Sequence, residues 1–453
     1  MTSEERIPTS NILIYSSPVL GVFMAGMLVS FYLLKFSTDV LLIGPAVIGF
    51  VLLIARIWDA VTDPAAGWLS DRTNTSLGRR RPWLLGSALP LGASIVMLWS
   101  PPESLEGSGL NLWIGAAILL FYTAYTAFRV PHIALGAELS RGYHDRTRVF
   151  GIMQAVESIG MLAAAGALFF LEGAEDPRSF ARMLSVGIGV FTTVLITLAA
   201  WRLRERAEFQ GRGGSSPWRS FRDVLMNPHS RILIGVFFLE QLGFSALVAL
   251  LPYLSDYVVQ TPGRTAVYLF SAVGSTLLSI PLWIFVSKRL GKKPVWLFSI
   301  AVKVVLFAAA FTLGAGDFVP LIIISVFFGV MNGCGAVVGP SLKADVVDWD
   351  EAETGERKEG SYFAAWNFVQ KSAGGIAVWA IGVTLAMTGF TPNVAQSEEA
   401  IFGMRVLASA APCFLHILAL ILMARFALTE SEHRAARERA EQRRAEVSSA
   451  AQA

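Results

Sequence analysis

Charge is what this chain has least of. Only 16% of its 453 residues are Asp, Glu, Lys or Arg, against about 25% in an ordinary soluble protein. With 54% hydrophobic residues and a positive mean hydropathy, that shortage excludes a globule coated in charge. Cysteine is scarce too. Cys334 and Cys413 both fall in apolar stretches, so they are small packing residues rather than a disulfide framework. The net charge of +3 is not a nucleic-acid patch, because the basic residues collect in alternate loops. Nothing resembles a cleavable signal peptide: Met-Thr-Ser-Glu-Glu-Arg is short and polar, and the first apolar block is long enough to span.

What the chain does have is apolar blocks of about 20 residues or more, enough to cross a hydrocarbon core of about 30 Å. Twelve spans can be placed, at about 11–36, 43–69, 84–100, 110–138, 149–172, 181–202, 231–258, 264–287, 295–314, 318–344, 361–388 and 402–427. Arg and Lys occupy every other loop: Arg72 with Arg79–Arg81, then Arg141, Arg146 and Arg148, the stretch 202–231, Lys288–Lys293, and Arg357 with Lys358. The intervening loops are neutral or acidic. The positive-inside rule then puts the basic loops and both termini in the cytoplasm of a multi-pass protein of the plasma (inner) membrane.

The longest loop divides the chain into two halves that echo each other. Leu77-Gly-Arg-Arg-Arg-Pro-Trp83 follows the second span, and Leu290-Gly-Lys-Lys-Pro-Val-Trp296 follows the second span of the other half. The expectation is an all-α membrane protein with a six-helix half at 1–202, a cytoplasmic loop at 203–230, a second half at 231–427 and a charged cytoplasmic tail at 428–453. Two such halves around a pathway are a transporter plan.

Within the second span, Arg56-Ile-Trp-Asp-Ala-Val-Thr-Asp-Pro64 carries Asp59 and Asp63 one turn apart. Residues four apart share a helix face, and a charge at the bilayer centre costs about 2.5–3.5 kcal/mol. Two like charges there call for a cation or proton between them. Thr62 offers a hydroxyl beside the pair, and Thr126 another if the fourth span lies alongside. Alternatively the aspartates pair with Arg56 and Arg129 as structural ion pairs. The two readings are compatible, since an arginine can neutralise an empty site. Next, Gly67-Trp-Leu-Ser-Asp-Arg72 permits close helix approach, and an Asp71–Arg72 pair could hold the halves together in one state and release in another. Elsewhere, Glu157 and Glu240 are expected in structural pairs, and Lys303 to snorkel towards an end.

Asp59 through Trp83 resembles the signature of the glycoside–pentoside–hexuronide:cation symporter family (melibiose permease-like), within the major facilitator superfamily. Further matches are Tyr125-Thr-Ala-Phe-Arg-Val-Pro131 with Arg146-Thr-Arg148, and Ala344-Asp-Val-Val-Asp348 with Tyr362 through Lys371. The resemblance implies the major facilitator fold and, as function, secondary transport: Na+- or H+-coupled symport of a sugar-derived solute by alternating access, without an enzymatic cofactor. It implies a cation site at Asp59, Asp63, Thr62 and Thr126, with Lys371 near both cation and solute. The gating charges would be Asp71, Arg72, Arg79, Arg80, Arg81, Arg146, Asp345, Asp348 and Arg357.

The departures from the family pattern bear on the solute. Where galactoside-binding members carry carboxylates, this chain has Phe23 and Arg129, and Gln154 stands at their fifth-span arginine. A guanidinium donates to carboxylates rather than accepting from sugar hydroxyls, so an anionic solute such as a hexuronide fits better than a neutral galactoside. Lys371 would add a second positive group. His132 could join Arg129, although a lone intramembrane His is also a common helix–helix hydrogen bond. Tyr125, Trp366 and Asn367 complete the candidate solute contacts. A lysophospholipid or other amphiphile is the alternative solute. An enzyme of the membrane prenyltransferase type, using Asp59 and Asp63 with Asp345, Asp348 and Asp350, is the distant one; it lacks the expected Asn where Ala55 stands. The expected partners are therefore a small solute, a monovalent cation and the lipid bilayer, with the protein acting as a monomer and binding no nucleic acid.

Overall fold

The computed structural model describes residues 7–139, 143–203, 205, 224–354, 359–428 and 438, with backbone alone at 137, 143–147, 359–361 and 363. Among them are twelve helices long and apolar enough to cross a membrane. These are α1 (Thr9–Phe31), α2 (Pro45–Arg72), α3 (Arg81–Trp99), α4 (Gly107–Glu138), α5 (Tyr143–Glu172) and α6 (Pro177–Arg202). The second set is α7 (Pro228–Tyr253), α8 (Thr265–Leu290), α9 (Lys292–Phe311), α10 (Phe318–Thr354), α11 (Glu359–Met387) and α12 (Glu398–Ala424). The tenth span outruns its expected end at 344, because α10 stays helical through Asp345, Asp348 and Asp350. Most of the 203–230 loop and of the tail, with Arg357 and the Arg146 side chain, lies outside the described residues.

The helices form two six-helix halves, with lipid-compatible packing built on small residues. Gly92 of α3 meets the Gly189 carbonyl of α6, and Gly329 and Gly333 of α10 lie against the α8 backbone at Ala272 and Thr276. Between halves, α2 packs on α11 and α5 on α8.

α1 and α7 end alike. A π turn over Phe36–Val40 continues the first and one over Leu254–Val258 the second. Each then closes on a left-handed residue, Leu42 (φ 56°) and Gln260 (φ 57°). The Ile43 N–H returns to the Ser37 carbonyl, and the Thr261 N–H to the Ser255 carbonyl. The terminator is thus repeated between halves although its residues differ.

At this face, away from the basic loops, these two ends are tied together. The buried Lys35 ammonium contacts Asp39 of its own half and lies 2.9 Å from Asp256 of the other. It also lies 5.0 Å from the Tyr257 ring centroid. Tyr257 donates to Asp39 at 2.6 Å, Thr38 and Tyr253 share a hydroxyl bond of 2.8 Å, and Asn393 donates to the Asp39 carbonyl at 2.8 Å. None of these residues was singled out from sequence; an i, i+4 Lys–Asp pair in an apolar stretch was the available signal. Beside it, Gly49 and Gly382 bring α2 and α11 into backbone contact.

That contact generates a prediction. A Cβ at Gly382 would stand 2.3 Å from the Pro45 carbonyl oxygen, whereas one at Gly86 meets nothing within 4 Å. Gly382→Ala should cost about 1–3 kcal/mol through overpacking against backbone, and Gly86→Ala almost nothing. Thermal unfolding of the purified proteins compares them; equal melting temperatures would contradict the packing.

Candidate cation and solute site

Asp59 is buried, at 1% exposure, and Asp63, one turn along α2, is half-buried. Thr126 of α4 stands between them, its hydroxyl 2.7 Å from Asp59 Oδ1 and 2.9 Å from Asp63 Oδ1. One hydroxyl has one proton, so it serves one carboxylate at a time. The other two oxygens meet Lys371 from the opposite half, 2.8 Å from Asp59 Oδ2 and 2.6 Å from Asp63 Oδ2. Two carboxylates facing one ammonium leave the ionised cluster with a net charge of −1, which a monovalent cation or a proton would cancel. Three oxygens converge, which suits a hard cation.

The fourth residue expected here is elsewhere. The Thr62 hydroxyl donates back to the Asp59 carbonyl at 3.2 Å, the usual recourse of a helical threonine in an apolar setting.

The expected arginine neutralisers are elsewhere too. Arg56 bonds the Ser30 hydroxyl at 3.2 Å and lies over the Tyr122 ring. Arg129 pairs with Glu157 of α5 at 2.5 Å, so its counter-charge comes from a neighbouring helix and not from the aspartates. Glu240 likewise accepts from Lys303 at 3.0 Å and from Trp296 at 2.8 Å. Lys303 therefore does not snorkel; a buried carboxylate within reach is the better partner for its ammonium.

Of the other candidate solute residues, His132 is a correction. It is fully buried, stacks on Tyr15 with centroids 4.3 Å apart, and its Nε2 bonds the Tyr15 carbonyl at 2.8 Å. Tyr15 in turn donates to the His132 carbonyl, so this is a clamp between α1 and α4. Phe23 and Tyr125 are half-buried, Gln154 and Asn367 are exposed, and Trp366 is buried against Tyr362.

The basic-face charges also differ from expectation. Asp71 pairs with Arg80 rather than Arg72, whose guanidinium lies 4.0 Å from the Trp68 ring centroid. The helix turn that carries Asp71 towards the loop carries Arg72 away from it, onto the Trp68 ring. Arg79 meets Glu138 at 2.7 Å and Arg80 meets it at 3.2 Å. Arg81 donates to the Ala200 carbonyl at 2.6 Å. Glu205, unforeseen, accepts the N–H groups of Arg79, Arg80 and Arg81 at 2.7–2.8 Å. Gly78, at φ 104°, makes that possible, because a Cβ there would stand 2.5 Å from the carboxylate. In the second half Lys292 pairs with Asp345 at 2.5 Å, and Asp348 is half-buried one turn along α10. Among the described residues, every one of these basic-face ion pairs stays within one half. Asp345, so engaged, is not a second acidic arm facing Asp59, and the diphosphate-enzyme reading loses its geometry.

A twelve-helix, two-half bundle with a buried carboxylate pair between its halves defines a membrane transporter of the major facilitator type. Residues 14–430 match the model of the MFS/sugar transport protein family, and the chain belongs to that family; it is a transporter and not an enzyme. It is 25% identical to an uncharacterized symporter of Synechocystis, covering 95% of this chain and 96% of that protein. A putative sulfoquinovose importer of Escherichia coli is 26% identical, covering 87% and 85%. The sodium-dependent lysophosphatidylcholine symporter 1 of Xenopus tropicalis is 24% identical, covering 91% and 86%. In fold, the chain superposes on a crystal structure of a D-xylose-proton symporter with a TM-score of 0.70 at 14% identity, over 94% of this chain and 99% of that one.

Thr126 provides a direct check of the cluster. Thr126→Val keeps the shape but removes the donor from two carboxylates, which should cost about 1–3 kcal/mol; Thr126→Ser should retain most of it. Melting temperatures of the two purified variants in sodium-free buffer test this, and a Val variant as stable as the Ser variant would mean the hydroxyl bonds neither aspartate.

Proposed function

We propose that this protein is a cation-coupled symporter that moves an anionic, sugar-derived solute by alternating access. The observation that carries the reading is Lys371 of one half held by Asp59 and Asp63 of the other. With the cation site empty, Lys371 supplies one of the two positive charges the pair requires. A Na+ or H+ entering between Asp59, Asp63 and Thr126 completes the charge and loosens the hold on the ammonium. The released ammonium, in a low-dielectric cleft, then requires an anion, so cation binding raises affinity for an acidic solute. By linkage the solute raises affinity for the cation by the same factor.

Arg129 is the second positive group on the solute side, oriented by Glu157 and free to bind an acid group with its remaining N–H donors. The similarity to a putative sulfoquinovose importer supports an anionic sugar derivative, since sulfoquinovose is a sulfonated sugar. The lysophosphatidylcholine symporter relative supports an amphiphile as the second reading.

The basic loops and both termini face the cytoplasm in this reading, so the Lys35–Asp39–Asp256 tie closes the external side. Side-chain ties between halves run from that face down to Lys371, which supports a state closed on the external side.

Two experiments test the proposal. Asp59→Asn or Asp63→Asn should reduce cation-dependent uptake at least a hundredfold while the protein stays folded and inserted. Uptake with unchanged dependence on Na+ and pH in both variants would remove the coupling assignment. For orientation, single cysteines at Glu103 and Glu399 should react with an impermeant thiol reagent in intact cells, and one at Ser215 should not; the opposite pattern inverts the topology.

A further inference from the structure

Interior cations in this bundle have carboxylate partners with few exceptions. Lys35 has Asp39 and Asp256, Arg129 has Glu157, Lys303 has Glu240, and Lys371 has Asp59 and Asp63. Arg56 lacks one among the described residues but has the Ser30 hydroxyl. Lys343 of α10 stands apart. Its half-buried ammonium lies 4.3 Å from the Phe237 ring centroid of α7 and 5.1 Å from the Trp366 ring centroid of α11. Among the described residues it has no carboxylate. A cation resting on ring faces gains little, a weak return for an ammonium drawn out of bulk water. Trp366, beneath it, has a buried indole N–H with no acceptor among the described residues. One positive charge and one unfilled donor therefore sit on the same ring system.

Their place in the fold matters as much as their chemistry. α10 packs along α8 and α9 and only lightly against α7 and α11, and the Lys343 side chain reaches from it to rings on both of those helices. Trp366 precedes Lys371 by five residues on α11, which at 1.5 Å per residue is about 7–8 Å nearer the basic face. Lys343 thus stands between the cation cluster and that face.

We propose that Lys343, seated on Phe237 and Trp366, is a second anion-accepting subsite, which takes the acid group of a carboxylated or sulfonated sugar derivative on its way between the Lys371 level and the basic face. The inference rests on the anionic-solute reading above. In the unliganded protein the ring faces hold the ammonium weakly, and an incoming carboxylate or sulfonate outcompetes them because a full charge outweighs a quadrupole. The Trp366 N–H can donate to the same group once the side chains part. Because no carboxylate among the described residues pairs with Lys343, its removal leaves no buried charge behind among them.

The test is ligand binding to the purified full-length protein in Na+ buffer, by isothermal titration, with methyl β-D-glucuronide, sulfoquinovose and methyl β-D-glucoside as probes. Wild type should prefer at least one of the two anionic probes. Lys343→Gln should weaken that probe about tenfold or more, leave any neutral-probe binding and the melting temperature unchanged, and be rescued by Lys343→Arg. Full affinity for the anionic probe in Lys343→Gln overturns the subsite while leaving the anionic-solute reading standing. A wild type that binds only the neutral glucoside, or none of the three, overturns that reading and the subsite with it.

Discussion

Asp59 and Asp63 are held at one level of the bilayer with a single ammonium between them and the opposite half, and that unequal charge count shapes the molecule. Each carboxylate alone is costly in hydrocarbon, and together they repel unless something positive intervenes. The protein answers with two groups from two helices, a hydroxyl on α4 and an ammonium on α11, which leaves the count one positive charge short. Because the ammonium belongs to the other half, charge balance and the fit between halves become one variable. In the proposed mechanism a cation bound here would alter how the halves hold each other, which alternating access requires.

The two faces are built differently around that centre. On the neutral face, Lys35, Asp39, Asp256, Tyr257 and Asn393 draw polar groups from both halves into one network, next to glycine-mediated backbone contact between α2 and α11. On the basic face, Arg79 and Arg80 close on Asp71 and Glu138, and Lys292 on Asp345, each inside its own half. Charges that brace a half keep it rigid as it rocks, whereas charges that bridge halves must break. The first kind supplies stiffness and the second a reversible barrier.

Pairing also separates scaffold from chemistry elsewhere in the bundle. Glu240 accepts from Lys303 and Trp296, and His132 and Tyr15 clamp each other; such groups are spent on positioning helices. Arg129, anchored on one side by Glu157, keeps donors to spare, and Lys343 has, among the described residues, ring faces and no carboxylate. Unequal satisfaction is what lets a cavity select a charged solute, because a group with a complete set of partners has nothing to offer a ligand.

Much was legible in the chain itself. Twelve apolar blocks, the duplicated Gly-basic-Trp loops and the Asp59–Asp63 spacing fix fold class, internal repetition and the carboxylate pair, because helix length and the i, i+4 relation are local properties. The partners of those charges were not local. Arg56 lies three residues before Asp59 and was expected, with Arg129, to neutralise the pair, yet that role falls to Lys371, and Arg129 turns to Glu157. Asp71 selects Arg80 over its neighbour Arg72. Thr62 sits beside the aspartates but bonds its own helix. The Lys35 network and Glu205 drew no notice, since their meaning comes from residues more than a hundred positions away. Sequence by itself determined which groups lie in the membrane and at what spacing. Only helix packing decided which charges meet, since a side chain reaches a few ångströms and the helix that brings its partner is set by the tertiary fold.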